Sequence, residues 1–274
     1  MRIHTSLIAL LGAAALVACG AKAERDITGP VTTTSAVRFF NFSVGAPTVQ
    51  FFANDQQVTA TTSASCQGAK NPPVTATDST CLEAGIQSAT GVAYGGVAAG
   101  GLYTGINAGQ YTLTGRQMST KGPTTTISTL PATIETGKFY SYYQGGLYNA
   151  GTKTADAFIV EDALPTTIDW SKVLVRFVNA IGNSQPMTLY AVDSLGAETA
   201  LGGQVAYKSA GAFTALVPTS YDLHARTADG TDKIVRTFVT FVAGHVYTIT
   251  ARGDMTVTST TASTRPFLDN TANQ

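Results

Sequence analysis

A motif that occurs twice is the strongest constraint on how this chain can fold. Val37 to Asn41 reads Val-Arg-Phe-Phe-Asn, and Val175 to Asn179 reads Val-Arg-Phe-Val-Asn, an offset of 175 − 37 = 138 residues. Further matches follow in the same order: Val92-Ala93-Tyr94 with Val205-Ala206-Tyr207, Tyr111-Thr112-Leu113 and Arg116 with Tyr221-Asp222-Leu223 and Arg226, and Gly137, Tyr140 and Gly146 with Gly244, Tyr247 and Gly253. Because the order is unbroken, the sequence predicts two copies of one module.

The amino terminus has the pattern of an export signal. Arg2 is followed by an almost wholly apolar run from Leu7 to Val17, which is too short to span a membrane. The segment Leu16-Val17-Ala18-Cys19 resembles the lipobox of bacterial lipoproteins, which implies that Cys19 becomes the lipidated first residue. The alternative is an ordinary signal peptide cut nearby. Since Gly20 is not the aspartate associated with inner-membrane retention, we expect an exported protein anchored to the outer membrane.

The first copy carries an insertion that the second copy lacks. The offset falls from 138 at Asn41 to 205 − 92 = 113 at Val92, so 138 − 113 = 25 residues are extra. This segment, about residues 54–90, contains Cys66 and Cys81. An even pair of cysteines in an exported chain predicts a disulfide, which would stabilise the fold by roughly 3 kcal/mol. Zinc binding is the weaker alternative, because no further His or Cys lies near in sequence.

Each copy reads as a series of short strands. Apolar and polar residues alternate around Val37 and Tyr221, glycine and asparagine separate the runs, and no amphipathic helix follows the signal. The sequence therefore predicts an all-β fold with two tandem antiparallel β-sandwich (Ig-like) domains after a lipoprotein signal peptide. A small barrel is the alternative. The expected divisions are a signal peptide (1–18), a lipid-anchored flexible tether (19–35), a first sandwich (36–163), a linker (164–172), a second sandwich (173–270) and a loose tail (271–274).

The opening Val-Arg-Phe-x-Asn strand, a later Gly-x-Tyr pattern before a strand and the closing Val-Glu-Asp resemble a bacterial domain of unknown function, family 4397. Both copies are covered, so the resemblance spans most of the mature chain. It implies an exported or lipid-anchored protein with tandem β-sandwich domains and no established activity. The cysteine-bearing insertion departs from the compact form of that family.

Catalytic chemistry is poorly represented in the sequence. Only His224 and His245 remain after the signal is removed, and Ser220, Asp222 and His224 alternate along one strand. Such side chains stand side by side about 7 Å apart and do not converge as a triad requires. We therefore expect a solvent face, with Tyr221 facing the core, and we predict no catalytic residues, no cofactor and no metal site.

The remaining candidates concern binding. In the run from Phe139 to Tyr143 one face must be core, so we expect Tyr140 and Tyr142 to form an exposed binding surface. The tripeptide Arg252-Gly253-Asp254 is one that integrins read, but its position at a turn makes a chance match the better interpretation.

Charge limits the partners of the protein. Lys and Arg number 17 and Asp and Glu also number 17, so no basic field for nucleic acid is present. The expected partners are a membrane, through the lipid, and an envelope protein or glycan. The sequence thus predicts a non-enzymatic, lipid-anchored binding or scaffolding protein. The alternative is a carbohydrate-binding module or weak glycan hydrolase at the cell surface.

Overall fold

The computed structural model describes residues 35–59, 91–119, 122–167 and 169–273. Within these ranges the chain forms eighteen strands and no α-helix, so the prediction of an all-β protein is confirmed. No helix in this part of the chain has the length and apolar character of a membrane span. The signal peptide, Cys19, Cys66 and Cys81 lie outside the described residues, and their predicted roles stay predictions.

The strands fall into two halves of nine. The first half contains β1 (Ser35–Asn41), β2 (Val49–Ala53), β3 (Gln56–Gln57), β4 (Gly96–Val97), β5 (Thr104–Ile106), β6 (Gly109–Ser119), β7 (Gly122–Ile134), β8 (Phe139–Asn149) and β9 (Thr154–Glu161), with a 3-10 turn at Ala98–Gly101. The second half contains β10 (Val173–Asn179), β11 (Thr188–Val192), β12 (Glu198–Ala200), β13 (Ser209–Ala210), β14 (Thr214–Leu216), β15 (Ser220–Arg226), β16 (Asp232–Thr240), β17 (Val246–Arg252) and β18 (Phe267–Ala272).

Each half builds two sheets with the same strand order. The first inner sheet runs β4-β1-β8-β9 with β5 beside β1, and the first outer sheet runs β3-β2-β6-β7. The second inner sheet runs β13-β10-β17-β18 with β14 beside β10, and the second outer sheet runs β12-β11-β15-β16. The expectation of purely antiparallel sheets is wrong at one place in each half, because β1 pairs with β8 and β10 with β17 in parallel.

The strand register follows the repeat in the sequence. Val37 lies opposite Tyr140 in the first half, and Val175 lies opposite Tyr247 in the second. The same holds for two isolated bridges, Val49 with Val92 and Met187 with Val205. Residues matched by sequence therefore occupy matching positions across the sheets.

Three apolar clusters place the sheets in four layers. The first joins the first inner and outer sheets, through Val37, Phe39, Phe51, Leu113 and Tyr142 among others. The second joins the second inner and outer sheets in the same way. The third lies between the two inner sheets and consists of Phe40, Phe42, Tyr143, Phe158, Val178 and Ala180. Both inner sheets are thus covered on both faces.

The layers explain the residue types in the repeated motif. Val37 and Phe39 point to the outer sheet of their own half, whereas Arg38 and Phe40 point to the other half. Asn41 ends the strand and is fully buried, and its amide donates to the carbonyl of Val92 at 2.9 Å. In the second half the amide of Asn179 donates to the carbonyl of Val205 at 3.3 Å.

The end of the chain differs from its expected structure. Thr271 and Ala272 belong to β18, and Asn273 is buried, so the prediction of a loose tail is wrong for these residues. Because Glu161 lies opposite Tyr140 and Ala272 opposite Tyr247, the structural match of Asp162 is Asn273.

Candidate binding surface

The predicted surface of Tyr140 and Tyr142 does not exist. Tyr140 is 6% exposed and Tyr142 is fully buried. The Tyr142 hydroxyl lies 3.0 Å from the hydroxyl of Ser128, and the Tyr140 hydroxyl accepts a hydrogen bond from the backbone N–H of Glu135. The prediction fails because both tyrosines point into the core between the first inner and outer sheets, so the two faces of β8 were assigned the wrong way round. The second inner sheet covers the other face of β8. Tyr143, on that opposite face, stacks on Phe40 with ring centroids 4.6 Å apart.

A polar network fills one end of the interface between the inner sheets. Arg38 and Arg176, equivalent residues of the repeat, both approach the carboxylate of Asp162, and all three are buried. Each arginine also donates from Nε to a hydroxyl of its own half, to Ser141 at 3.1 Å and to Thr248 at 3.0 Å. This network joins the two halves, and its two guanidinium groups share a single carboxylate.

Tyr103 closes the same network. Its hydroxyl donates to Asp162 at 2.5 Å and its ring lies under the Arg38 guanidinium, 4.7 Å from the ring centroid. Burial, and then the charge of Asp162, hold the pKa of Tyr103 well above its ordinary value. The phenol is therefore a neutral donor at physiological pH. Phe213 takes the equivalent position over Arg176 at 4.9 Å.

A cavity of about 660 Å³ opens beside this network. Arg176 is the cation in its wall, next to Phe213 and the segment from Ser209 to Ala212. The three guanidinium nitrogens of Arg176 already bind Thr248, the carbonyl of Glu161 and Asp162. Three of the five N–H groups of Arg176 are therefore engaged within the fold.

Ser220, Asp222 and His224 do lie on one face of β15, as the sequence predicted, and Tyr221 and Leu223 face the core. Each of the three has a different partner. The Ser220 hydroxyl pairs with Thr240 at 2.7 Å, Asp222 accepts from a backbone N–H, and His224 Nδ1 lies 2.9 Å from Asp232. They form no relay from acid to base to nucleophile.

The outer face of the second outer sheet carries the most conspicuous exposed residue. Phe238 is 84% exposed and has a left-handed backbone, with φ of 55°. A bulky residue in this conformation costs about 1 kcal/mol or more. A bulge in the pairing of β15 with β16 creates the conformation, and Asp222 stabilises it by accepting from the Phe238 N–H at 2.9 Å. The sheet thus holds an aromatic ring in water at a conformational cost.

Neighbouring strands extend this surface, which we call the Phe238 face and define by Tyr190, Asp222, His224, Val235 and Phe238. His224 lies opposite both Tyr190 on β11 and Val235 on β16, so three strands contribute side by side. Val235 is also exposed. An exposed face that combines aromatic, aliphatic and polar side chains suits contact with another molecule.

Charged residues border the Phe238 face. Arg226 lies over the Tyr190 ring at 4.8 Å and donates two hydrogen bonds to Glu198, at 2.7 and 2.8 Å. The hydrogen bond from Arg226 lowers the pKa of Glu198. Burial raises the pKa of Asp232, but hydrogen bonds from His224 and Arg226 outweigh it, and the net pKa is lowered. Both carboxylates are therefore ionised at neutral pH.

The first half has a related but plainer surface. Arg116 lies over Phe52 at 4.2 Å and pairs with Asp55, which matches Arg226 over Tyr190. Pro131 stands near the position of the Phe238 bulge, so this half has no exposed aromatic there. The sequence signal for the Phe238 face is the departure of the second copy from the first at β16, where Phe238 takes the position of Pro131.

The Arg252-Gly253-Asp254 tripeptide is engaged within the fold. Arg252 forms an ion pair with Asp269 and lies 5.3 Å from the ring centroid of Tyr94. Hydrogen bonds from Thr256 lower the pKa of Asp254 and fix its carboxylate at the turn. Neither charge projects freely, as an integrin ligand requires.

No protein-family model matches this chain, and a search of curated proteins found no match. Among the described residues, no three His, Cys, Asp or Glu side chains come together in a way that could hold a metal ion.

Proposed function

We propose that this chain is a non-enzymatic protein of the bacterial cell envelope, anchored by a lipid on Cys19, that binds an envelope partner through the Phe238 face. The single observation that carries the binding role is the exposure of Phe238 in a left-handed conformation that the bulge and Asp222 maintain. Strain of this kind at an exposed aromatic is typical of recognition sites.

The finer architecture belongs to the same proposal. The two halves are tandem Ig-like sandwiches of the kind that family 4397 implies, with the proposed bounds 36–163 and 173–270. The matching strand order and register of the halves support this, although no family model matches. Cys66 and Cys81 form a disulfide in the insertion of the first half. The outer membrane is the proposed location.

The absence of an enzymatic role rests on the engagement of the candidate groups. Ser220, Asp222 and His224 bind separate partners, and the two arginines of the interface are buried and share Asp162 as their counter-ion. A carbohydrate-binding module or weak glycan hydrolase, the alternative, loses its sequence basis because Tyr140 and Tyr142 are buried.

Cross-linking in living cells tests the binding role. A photoreactive benzoylphenylalanine replaces Phe238 in the full-length chain, and Leu195, which is 92% exposed in a turn, is replaced in the control. We expect one discrete cross-linked species from position 238 and none from position 195. The same pattern of products from both positions, or none from either, would refute the Phe238 face as a binding site.

Fractionation tests the anchor separately. The wild-type chain should sediment with membranes, and Cys19→Ser should move it to the soluble fraction. A Cys19→Ser protein that still sediments with membranes would refute lipid anchoring at this residue.

A further inference from the structure

A second exposed apolar patch lies at one end of the second half. We call it the Trp170 patch and define it by Trp170, Val217 and Val242, which are 74%, 59% and 51% exposed. Trp170 precedes β10, Val217 follows β14, and Val242 follows β16. All three residues lie in connections between strands, outside the sheets.

Hydrogen bonds bring the three connections together. The Gly244 N–H donates to the carbonyl of Lys172 at 2.7 Å, which joins the turn after β16 to the segment before β10. The Phe241 N–H donates to the carbonyl of Thr219 at 3.0 Å, which joins it to the turn after β14. The Trp170 ring lies against Gly244 so closely that a Cβ there would collide with it. The three residues therefore lie on neighbouring connections at one end of the second half.

The Trp170 patch is at the same end of the fold as Ser35, where the described chain begins. Strands β1 and β10 run in the same direction. Two contacts between the halves show this, one near the start of both strands and one near the end of both. Near their starts, Arg38 Nη1 donates to the carbonyl of Ala272 at 2.9 Å, and Ala272 lies opposite Tyr247 at the start of β17. Near their ends, the Gly146 N–H donates to the carbonyl of Ala180 at 3.1 Å.

The length of the preceding segment limits how far this end can lie from the lipid. Cys19 precedes Ser35 by 35 − 19 = 16 residues. A chain of that length reaches about 55 Å at most. A lipid on Cys19 would therefore hold the start of β1 within that distance of the membrane, and the Trp170 patch lies at the same end of the fold as the start of β1.

We propose that the Trp170 patch rests on the lipid surface that holds the acylated Cys19. The inference depends on the lipid anchor of the proposed function. Tryptophan favours the boundary between headgroups and acyl chains, where its ring is apolar and its N–H stays hydrated. Three side chains are too few to hold a protein at a membrane alone, but the tether supplies a high effective concentration. This contact would set the orientation of the fold on the membrane. The Phe238 face would then stand upright relative to the membrane surface and face a neighbour in the same envelope layer.

Fluorescence provides a direct test because Trp170 is the only tryptophan of the chain. The full-length acylated protein is placed in vesicles of phosphatidylethanolamine and phosphatidylglycerol, with and without brominated acyl chains. We expect a blue shift of the emission and its loss in the brominated vesicles. The control is the acylated double variant Trp170→Phe with Phe238→Trp, which places the single tryptophan on the Phe238 face and should keep its emission.

Each outcome decides the matter. Quenching at position 170 and not at position 238 supports the inference. Equal quenching at both positions, no quenching at either, or a blue shift without quenching, as a covering protein would cause, overturns it. The mass of the amino-terminal peptide separates this inference from the proposed lipid anchor. If acyl groups are present and no quenching occurs, only the membrane contact of the Trp170 patch is refuted. If acyl groups are absent, both the lipid anchor and the membrane contact are refuted.

Discussion

Arg38 and Arg176 hold equivalent positions in the two halves of the chain and share one counter-ion, the carboxylate of Asp162. Arg38 Nη1 reaches the carbonyl of Ala272 in the second half, and Arg176 Nη1 reaches the carbonyl of Glu161 in the first at 2.8 Å. These two hydrogen bonds between the halves are related by approximate two-fold symmetry. The carboxylate of Asp162 breaks the symmetry, because its structural match in the second half is Asn273. One carboxylate thus serves two buried cations.

Removal of this carboxylate should destabilise the protein strongly. Asp162→Asn leaves two buried guanidinium groups without a counter-charge, and we expect a loss of about 3 kcal/mol in the free energy of unfolding. Urea denaturation measures it. The control is Asp156→Asn, at a half-exposed ion pair with Lys208, where the loss should stay below about 1 kcal/mol. Similar losses in both variants would contradict a structural role for the shared carboxylate.

Alkaline pH should destabilise the fold through its buried tyrosines. Burial raises the pKa of Tyr142 and of Tyr143 above the ordinary value of 10.0. Below pH 10 both phenols are neutral in the folded and in the unfolded protein, so the stability they contribute is fully present. As the pH rises above 10, these tyrosines ionise only in the unfolded protein, and the free energy of unfolding falls until the pH reaches the pKa of the folded protein.

The slope identifies the residue responsible. Each such tyrosine should contribute about 1.4 kcal/mol of lost stability per pH unit. In Tyr142→Phe the fall of unfolding free energy above pH 10 should be less steep by that amount, as measured by urea denaturation at a series of pH values. A slope identical to that of the wild type would show that Tyr142 ionises equally in both states.

Gly146→Ala should loosen the contact between the halves. Gly146 has φ of 67°, and an added Cβ would collide with the Tyr207 hydroxyl of the second half. We expect a loss of about 2–3 kcal/mol, combining backbone strain with overpacking. Gly45→Ala, with φ of 78° and open space around it, isolates the strain and should cost about 1 kcal/mol.

A second substitution tests the cause of that loss. Tyr207→Phe removes the hydroxyl that the new Cβ would meet. In this background the thermal unfolding temperature should fall less on Gly146→Ala than it does in the wild type. Equal falls in both backgrounds would assign the whole effect to the backbone.

Oxidation of Cys66 and Cys81 is the remaining prediction. The cysteines are 81 − 66 = 15 residues apart, and a disulfide across such a loop stabilises a fold by roughly 3 kcal/mol. Alkylation without reduction, followed by mass spectrometry, should leave both residues unmodified, and alkylation after reduction should modify both. Modification of both cysteines before reduction would exclude the bond.

The repeat predicted from the sequence extends to the level of strand register. Val37 and Val175 lie opposite Tyr140 and Tyr247, as the matched positions require. The pattern on β15 was also correct, with Tyr221 inward and His224 outward. Such features are local, since alternation in a strand decides which side chains share a face.

Alternation does not reveal whether a second face is covered. Tyr140 and Tyr142 were assigned to the exposed face of β8, yet they pack in the core between the first inner and outer sheets, and the other half of the chain covers the opposite face of β8. The Phe238 face was missed for a related reason, because a bulge depends on the pairing of two strands and leaves no clear mark in one of them.

The sequence by itself determined the strand content, the two copies, their matching register and the end of each strand that carries Asn41 or Asn179. These follow from short-range patterns of polarity and from repetition along one chain. Only the tertiary structure decided that the inner sheets pack against each other, that Arg38 and Arg176 share Asp162, and that Phe238 is held in water. Those relationships join residues far apart in the chain, and burial and charge pairing are properties of the assembled layers that no single segment carries.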